Sequence, residues 1–253
     1  MEHIKCETEE SLLIVTMSRG KANAMNAAMV EELCGAVDRA ASDEEVRGVV
    51  LASDQPKFFS GGFDLNEVFQ YDRDRMREFF GRFIDLYQSI YRLPKPTVAA
   101  VSGHAFAGGA LLALACDFRV MGDGEFGFAV NEINLGVVLT PGLIRLLVDR
   151  VGAGHARRIL LSGDPLTPSQ ALQTGLAGEV VDSESALDRA KALAKSLGEK
   201  PPLTFGAFKH AIGEATGYGE SADDRRYLDE FLDSWFSPEA EERKRALMES
   251  MKR

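Results

Sequence analysis

The sequence is poor in the residues that carry several common chemistries. Among 253 residues there are three cysteines (Cys6, Cys34, Cys116), four histidines (His3, His104, His155, His210) and one tryptophan. The cysteines lie far apart and form no CxxC pair, which excludes a disulfide frame or a thiolate zinc site and fits a reducing compartment. The scattered histidines make no HExxH pattern, so no metal site is expected. Positive charge is also short: 29 Lys and Arg against 39 Asp and Glu leave a net charge of −10. That balance gives neither a nucleic-acid footprint nor a basic patch for an anionic membrane. No apolar run reaches membrane-spanning length, and the opening MEHIKCETEE lacks the apolar stretch of a signal peptide. The expectation is a cytoplasmic globular protein with ordinary composition, 45% hydrophobic and 27% charged.

Nucleotide and nucleophile motifs are missing too. There is no GxxxxGK[ST] loop, and Arg157 stands where Gly152-Ala153-Gly154 would need a third glycine. Ser60, Ser102 and Ser162 lack the GxSxG setting of a nucleophile elbow.

What is present is alternation. Leu12–Met17 is β-prone, and Asn26 caps a helix whose apolar positions Met29, Val30, Leu33, Val37 and Ala40 recur at helical spacing to about Ala41. Val46–Ala52 reads as a buried strand, Phe58–Asp64 as a turn, and Arg73–Tyr91 as an amphipathic helix stopped by Pro94 and Pro96. The middle repeats the theme: strand Thr97–Ser102, glycine turn Gly103–Gly109, helix Ala110–Cys116, strand Phe118–Met121. Helices then dominate: 143–151, 155–162, 168–174, 184–197, 203–216, 221–235 and 238–251. Tyr227, Leu228, Phe231, Leu232, Trp235 and Phe236 form an apolar stripe that needs a covering surface, from this chain or a neighbour.

A glycine pair alone serves to permit a tight turn, and His104 beside one reads as a packing residue before it reads as a base. Two glycine turns, each leaving a strand, do more: each leaves backbone N–H groups unpaired, and a helix start adds positive potential. Aimed at one point, two such groups make an oxyanion hole.

Here the residues resemble a known family. Phe58-Phe59-Ser60-Gly61-Gly62-Phe63-Asp64-Leu65 resembles the first oxyanion segment of the crotonase (enoyl-CoA hydratase/isomerase) superfamily, and Lys95 to Gly109 resembles the second, with Cys116-Asp117 at the usual following pair. Gly20 to Asn26 is similar to the segment that wraps coenzyme A. The resemblance spans about residues 5 to 190. It implies an α/β spiral of repeated ββα units over 1–195 and a C-terminal helical oligomerisation or docking region over 196–253, assembled as a homotrimer or hexamer.

The resemblance implies an acyl-CoA substrate, no resident cofactor (coenzyme A belongs to the substrate), and backbone N–H donors at Phe63 and Gly108. It assigns substrate contacts to Lys21, Ala22 and Ala24, to Ser60, Gly61, Gly62, Asp64 and Leu65, to Phe106 and Gly109, and to Leu135 and Thr140. Asp64 equally suits a helix cap, and the Phe63 ring an acyl-channel wall. Hydratases of the family use two glutamates; three residues past Gly108 this chain has Leu111, whereas Glu132 before Ile133-Asn134-Leu135-Gly136 matches the second. That pattern is most similar to single-glutamate Δ3,Δ2-enoyl-CoA isomerases. Hydration with another acid from the 67–74 stretch, another acyl-CoA reaction of the superfamily, and a non-catalytic thioester-binding role remain as alternatives.

Overall fold

A computed structural model of the chain describes residues 1–218 and 224–250. Strands β1 (Ile4–Glu9) and β2 (Leu12–Met17) form an antiparallel hairpin, and helix α1 (Ala27–Ser42) follows. The Asn26 side chain accepts from Met29 N–H at 2.9 Å, so α1 begins where its sequence cap places it. Strand β3 (Gly48–Ser53) leads to the short β4 (Phe58–Ser60), then α2 (Leu65–Val68) and the long α3 (Arg73–Arg92). The next turn repeats the pattern with β5 (Thr97–Val101), β6 (His104–Phe106) and α4 (Gly108–Ala115). A further turn has β7 (Phe118–Asp123), β8 (Phe128–Ala129) and α5 (Pro141–Ser162).

The result is the expected spiral. Each turn places its first strand in a six-stranded sheet and its second in a small parallel sheet of β4, β6 and β8. In the large sheet, side-chain alternation divides two cores. Leu13, Val15, Leu51, Ala99 and Met121 face the spiral body, while Leu12, Ile14, Val50, Val98 and Val120 face the other way. The remaining elements are α6 (Pro168–Gln173), the edge strand β9 (Glu179–Asp182), α7 (Ala186–Gly198), α8 (Pro202–Ala215), α9 (Leu228–Trp235) and α10 (Pro238–Ser250). Helix α7 covers the second core with Ala186, Ala190 and Ala194.

Three readings from sequence gain detail. The helices expected over 143–151 and 155–162 are both present, as the two arms of α5 on either side of a non-helical break at Gly152 (φ 74°, ψ 159°). The helix expected from Ser221 begins among residues outside the described ones; its described part is a 3-10 turn from Asp224 followed by α9, and Met251 also lies outside. The apolar stripe is covered inside the chain: Phe231 stacks on Phe80 of α3 at 3.6 Å between ring centroids, and Leu228, Leu232 and Trp235 are buried with it. It therefore leaves little to offer a neighbour. Exposed apolar side chains gather instead on α8, where Leu203, Phe208 and Ile212 are 90%, 67% and 54% exposed. Among the described residues, no helix is long and apolar enough to cross a membrane.

Candidate active site

The two glycine turns meet because the small sheet puts β4 beside β6. After β4, Gly61 N–H donates to Ala22 C=O at 2.8 Å, Gly62 C=O accepts from Met25 N–H at 2.7 Å, and Asp64 N–H donates to Met25 C=O at 2.8 Å. The 19–25 loop is thus laced to the first glycine segment. Buried Asn23 is the hub: its side-chain amide donates to Ser53 Oγ at 2.7 Å and its Oδ1 accepts from Arg19 N–H at 2.7 Å. Gly62 sits at φ +92°, and a Cβ there would lie 2.9 Å from Phe106 C=O and 3.3 Å from the Gly108 nitrogen, so the segments touch as backbones.

The second segment turns sharply at Ala107, whose φ of 47° and ψ of −125° are costly for a residue with a Cβ. The strain is held by Ala107 N–H donating to Ala129 C=O at 2.8 Å, and it starts α4 at Gly108. The Gly108 N–H precedes the first intrahelical acceptor, and no acceptor is found for it or for Phe63 N–H among the described residues. Closeness also dictates Gly109, where a Cβ would fall 2.4 Å from Ser60 C=O. Gly109→Ala is expected to separate the segments, destabilise by about 1–3 kcal/mol and lower Tm. Thermal unfolding beside an activity assay checks this; an unchanged Tm would show that the contact is slack.

These backbones open onto a cavity of about 740 Å³. Glu132 stands across it on a 3-10 turn, Glu132–Leu135, whose Gly136 cap is left-handed at φ 70°. Its Oε2 is buried and has no hydrogen-bond partner. Desolvation dominates, opposed by Glu132's own backbone N–H, and the carboxyl pKa is pushed up to about 7. The other carboxylate in the wall, Asp64, is engaged: it pairs with Arg19 at 2.8 Å and caps α2 by accepting from Asn66 N–H at 3.1 Å. Leu111, 2% exposed, fills the position one turn into α4.

A model of the enoyl-CoA hydratase/isomerase family matches residues 7–249. The chain belongs to the enoyl-CoA hydratase/isomerase family. It is 32% identical over 216 residues to the 2,3-dehydroadipyl-CoA hydratase of Escherichia coli (strain K12), covering 85% of this chain and 83% of that one. It is 28% identical over 191 residues to the mitochondrial enoyl-CoA delta isomerase 1 of Rattus norvegicus, covering 75% and 66% of the two chains. The crystal structure of human mitochondrial delta3-delta2-enoyl-CoA isomerase shares the fold, with a TM-score of 0.92 at 24% identity over 99% of this chain and 98% of that one.

In this hydratase/isomerase-family chain, Lys21, Ala22, Ala24, Gly61, Phe63, Asp64, Leu65, Phe106, Gly108, Glu132 and Leu135 all line the cavity. Four residues expected to contact substrate stand behind the wall. Ser60 is fully buried, its hydroxyl donating to Asn23 C=O at 2.8 Å and accepting from Gly62 N–H at 3.2 Å, so it braces the loop. Gly62 and Gly109 are spent on backbone contact between the segments. Thr140 is turned away, donating to buried Asp224 at 2.5 Å. His104 has the packing role: its Nδ1 accepts from Gly127 N–H at 2.9 Å. The acids of the 67–74 stretch do not line the cavity; Glu67 accepts from Tyr71 Oη, and Asp72 caps α3.

The part of the wall supplied by α9 and α10 was not assigned from sequence. Phe80 comes from α3, Phe231 and Trp235 from α9, and Arg243 and Leu247 from α10. The apolar stripe was the available signal, but spacing along a helix does not say what the helix covers.

Proposed function

We propose that this site isomerises 3-enoyl-CoA thioesters to 2-enoyl-CoA. The observation that carries the reading is the lone unpaired carboxylate: Glu132 is the one acid in the described cavity wall without a salt-bridge or hydrogen-bond partner for a buried oxygen, and Leu111 holds the place of a second acid.

The thioester oxygen sits on the N–H groups of Phe63 and Gly108, which stabilise negative charge there. Glu132 takes a proton from C2; the C2–H electron pair enters the π system and the dienolate charge rests on the thioester oxygen. The same carboxyl returns the proton to C4, leaving the double bond between C2 and C3. No group is oxidised or reduced, so the sequence of steps needs no resident cofactor. The apolar surroundings make Glu132 a stronger base than a solvated carboxylate. Lys21, on the 19–25 loop of the cavity wall, suits the anionic coenzyme A portion by its charge.

The E. coli relative named as a hydratase favours a second reading, water addition to 2-enoyl-CoA. Separate assays with 3-enoyl-CoA and 2-enoyl-CoA, following conjugation and its loss, decide between the two. Conjugation of the first without hydration of the second is expected; the opposite pattern overturns the proposal. Because the base acts when ionised, kcat/KM for 3-enoyl-CoA should climb with pH below about 7 and level off above it. A profile flat from pH 5 to 8 would remove Glu132 as the titrating base.

A further inference from the structure

One polar group in the aromatic wall has no partner. Trp235 is 3% exposed, it lines the cavity, and its Nε1–H is buried without an acceptor. Buried donors are ordinarily paired, and an orphan in a ligand cavity marks a place where the ligand supplies the acceptor. The indole is wedged between rings: Phe231 lies 5.8 Å away at 30° and Phe69 5.7 Å away at 59°.

The position of this donor along the cavity follows from ring contacts. Phe63 meets Phe80 edge-on at 6.3 Å, Phe80 stacks on Phe231, and Phe231 stacks beside Trp235. Among the rings that line the cavity, Trp235 therefore ends a run that begins at the segment proposed to hold the thioester oxygen. Behind it, Lys244 donates to Trp235 C=O at 3.0 Å, and its ammonium lies 4.7 Å from the indole centroid. That charge is balanced by an ion pair with Glu241. Arg19 is likewise paired with Asp64 and Arg243 with Glu239, which leaves Lys21, on the loop that the proposed function gives to coenzyme A, as the cation of the described cavity wall without an ion pair.

We infer that the acyl chains taken by this site carry a neutral oxygen acceptor, a hydroxyl or carbonyl, beyond the reacting carbons, and that Trp235 Nε1–H donates to it. The inference rests on the proposed reaction in taking the ring-lined end as the acyl end. A plain alkyl chain leaves the N–H orphaned, whereas a carboxylate brings a charge that this wall does not neutralise.

Saturated acyl-CoAs of matched length, ending in methyl, hydroxyl or carboxylate, test this by calorimetric binding over a series of chain lengths. At the best length the hydroxyl-ended ligand should bind wild type about tenfold more tightly than the methyl-ended one. In Trp235→Phe that ratio should fall to about one. Being a ratio within one protein, it does not depend on the fraction of variant that folds. Equal or tighter wild-type binding of the methyl-ended ligand overturns the inference, as does preference for the carboxylate or a ratio that survives Trp235→Phe. The ligands do not react, so a binding preference without isomerase turnover would sink the reaction and leave the acceptor intact.

Discussion

Glu132→Gln should lower isomerase turnover by about 10²–10⁴-fold while saturated acyl-CoA still binds. Glutamine keeps the shape and can still hydrogen-bond, but it cannot take a proton from C2 and deliver it to C4. The proposed oxyanion donors are backbone groups of Phe63 and Gly108, which the substitution leaves in place. Steady-state turnover paired with calorimetric binding measures both. Binding lost in step with activity would give Glu132 a structural role, and undiminished turnover would remove it from the chemistry.

The same substitution carries a stability signature of definite sign. The folded-state pKa of Glu132 is raised from 4.5 to about 7, so between those values the native state holds a proton that the unfolded chain has released. Stability linked to this group is full below pH 4.5 and is lost as pH rises toward 7, by at most about 3 kcal/mol. Glutamine has no proton to lose. The variant should therefore gain stability relative to wild type as pH rises from 5 to 8, a trend that urea unfolding at several pH values reads directly. A carboxyl whose pKa is the same folded and unfolded would leave the difference between variant and wild type flat across this range.

How far the sequence foretold this site depends on the range of the interactions involved. Helices α1 and α3 were legible because their apolar positions repeat and their caps, Asn26 and the 93–96 proline stretch, are local. The glycine segments were legible as motifs, yet the small sheet joining them was not. Strands β4, β6 and β8 are two or three residues long, and a strand so short shows no alternation. Thr140 misled for a related reason: its hydroxyl partner, Asp224, lies 84 residues further along the chain. Likewise the stripe on α9 announced burial without naming Phe80 as the surface it meets. Local chemistry was readable; the partner of each long-range contact was not.

Leu111→Glu is the complementary test, expected to create an activity where Glu132→Gln destroys one. Leu111 is buried, lines the cavity and follows Gly108 by three residues, with its N–H closing the first turn of α4 on Ala107 C=O at 3.0 Å. The family resemblance puts the other glutamate of the hydratases at this position. A carboxyl there would face the same cavity as Glu132, and two acids near one site push one pKa further up. One protonated and one ionised carboxyl is the state that positions a water, gives up a proton at one carbon and takes one from the water. Hydration of 2-enoyl-CoA should rise roughly 10²-fold or more over wild type, greatest near the pH where the pair shares one proton. Burying the new acid costs a few kcal/mol, about the scale of a buried polar group without full pairing, so Tm should fall. Leu111→Gln supplies the same bulk and polarity without the acid, and hydration should not appear. Equal hydration in both variants, or in neither, would show that an acid at this position does not by itself raise hydration.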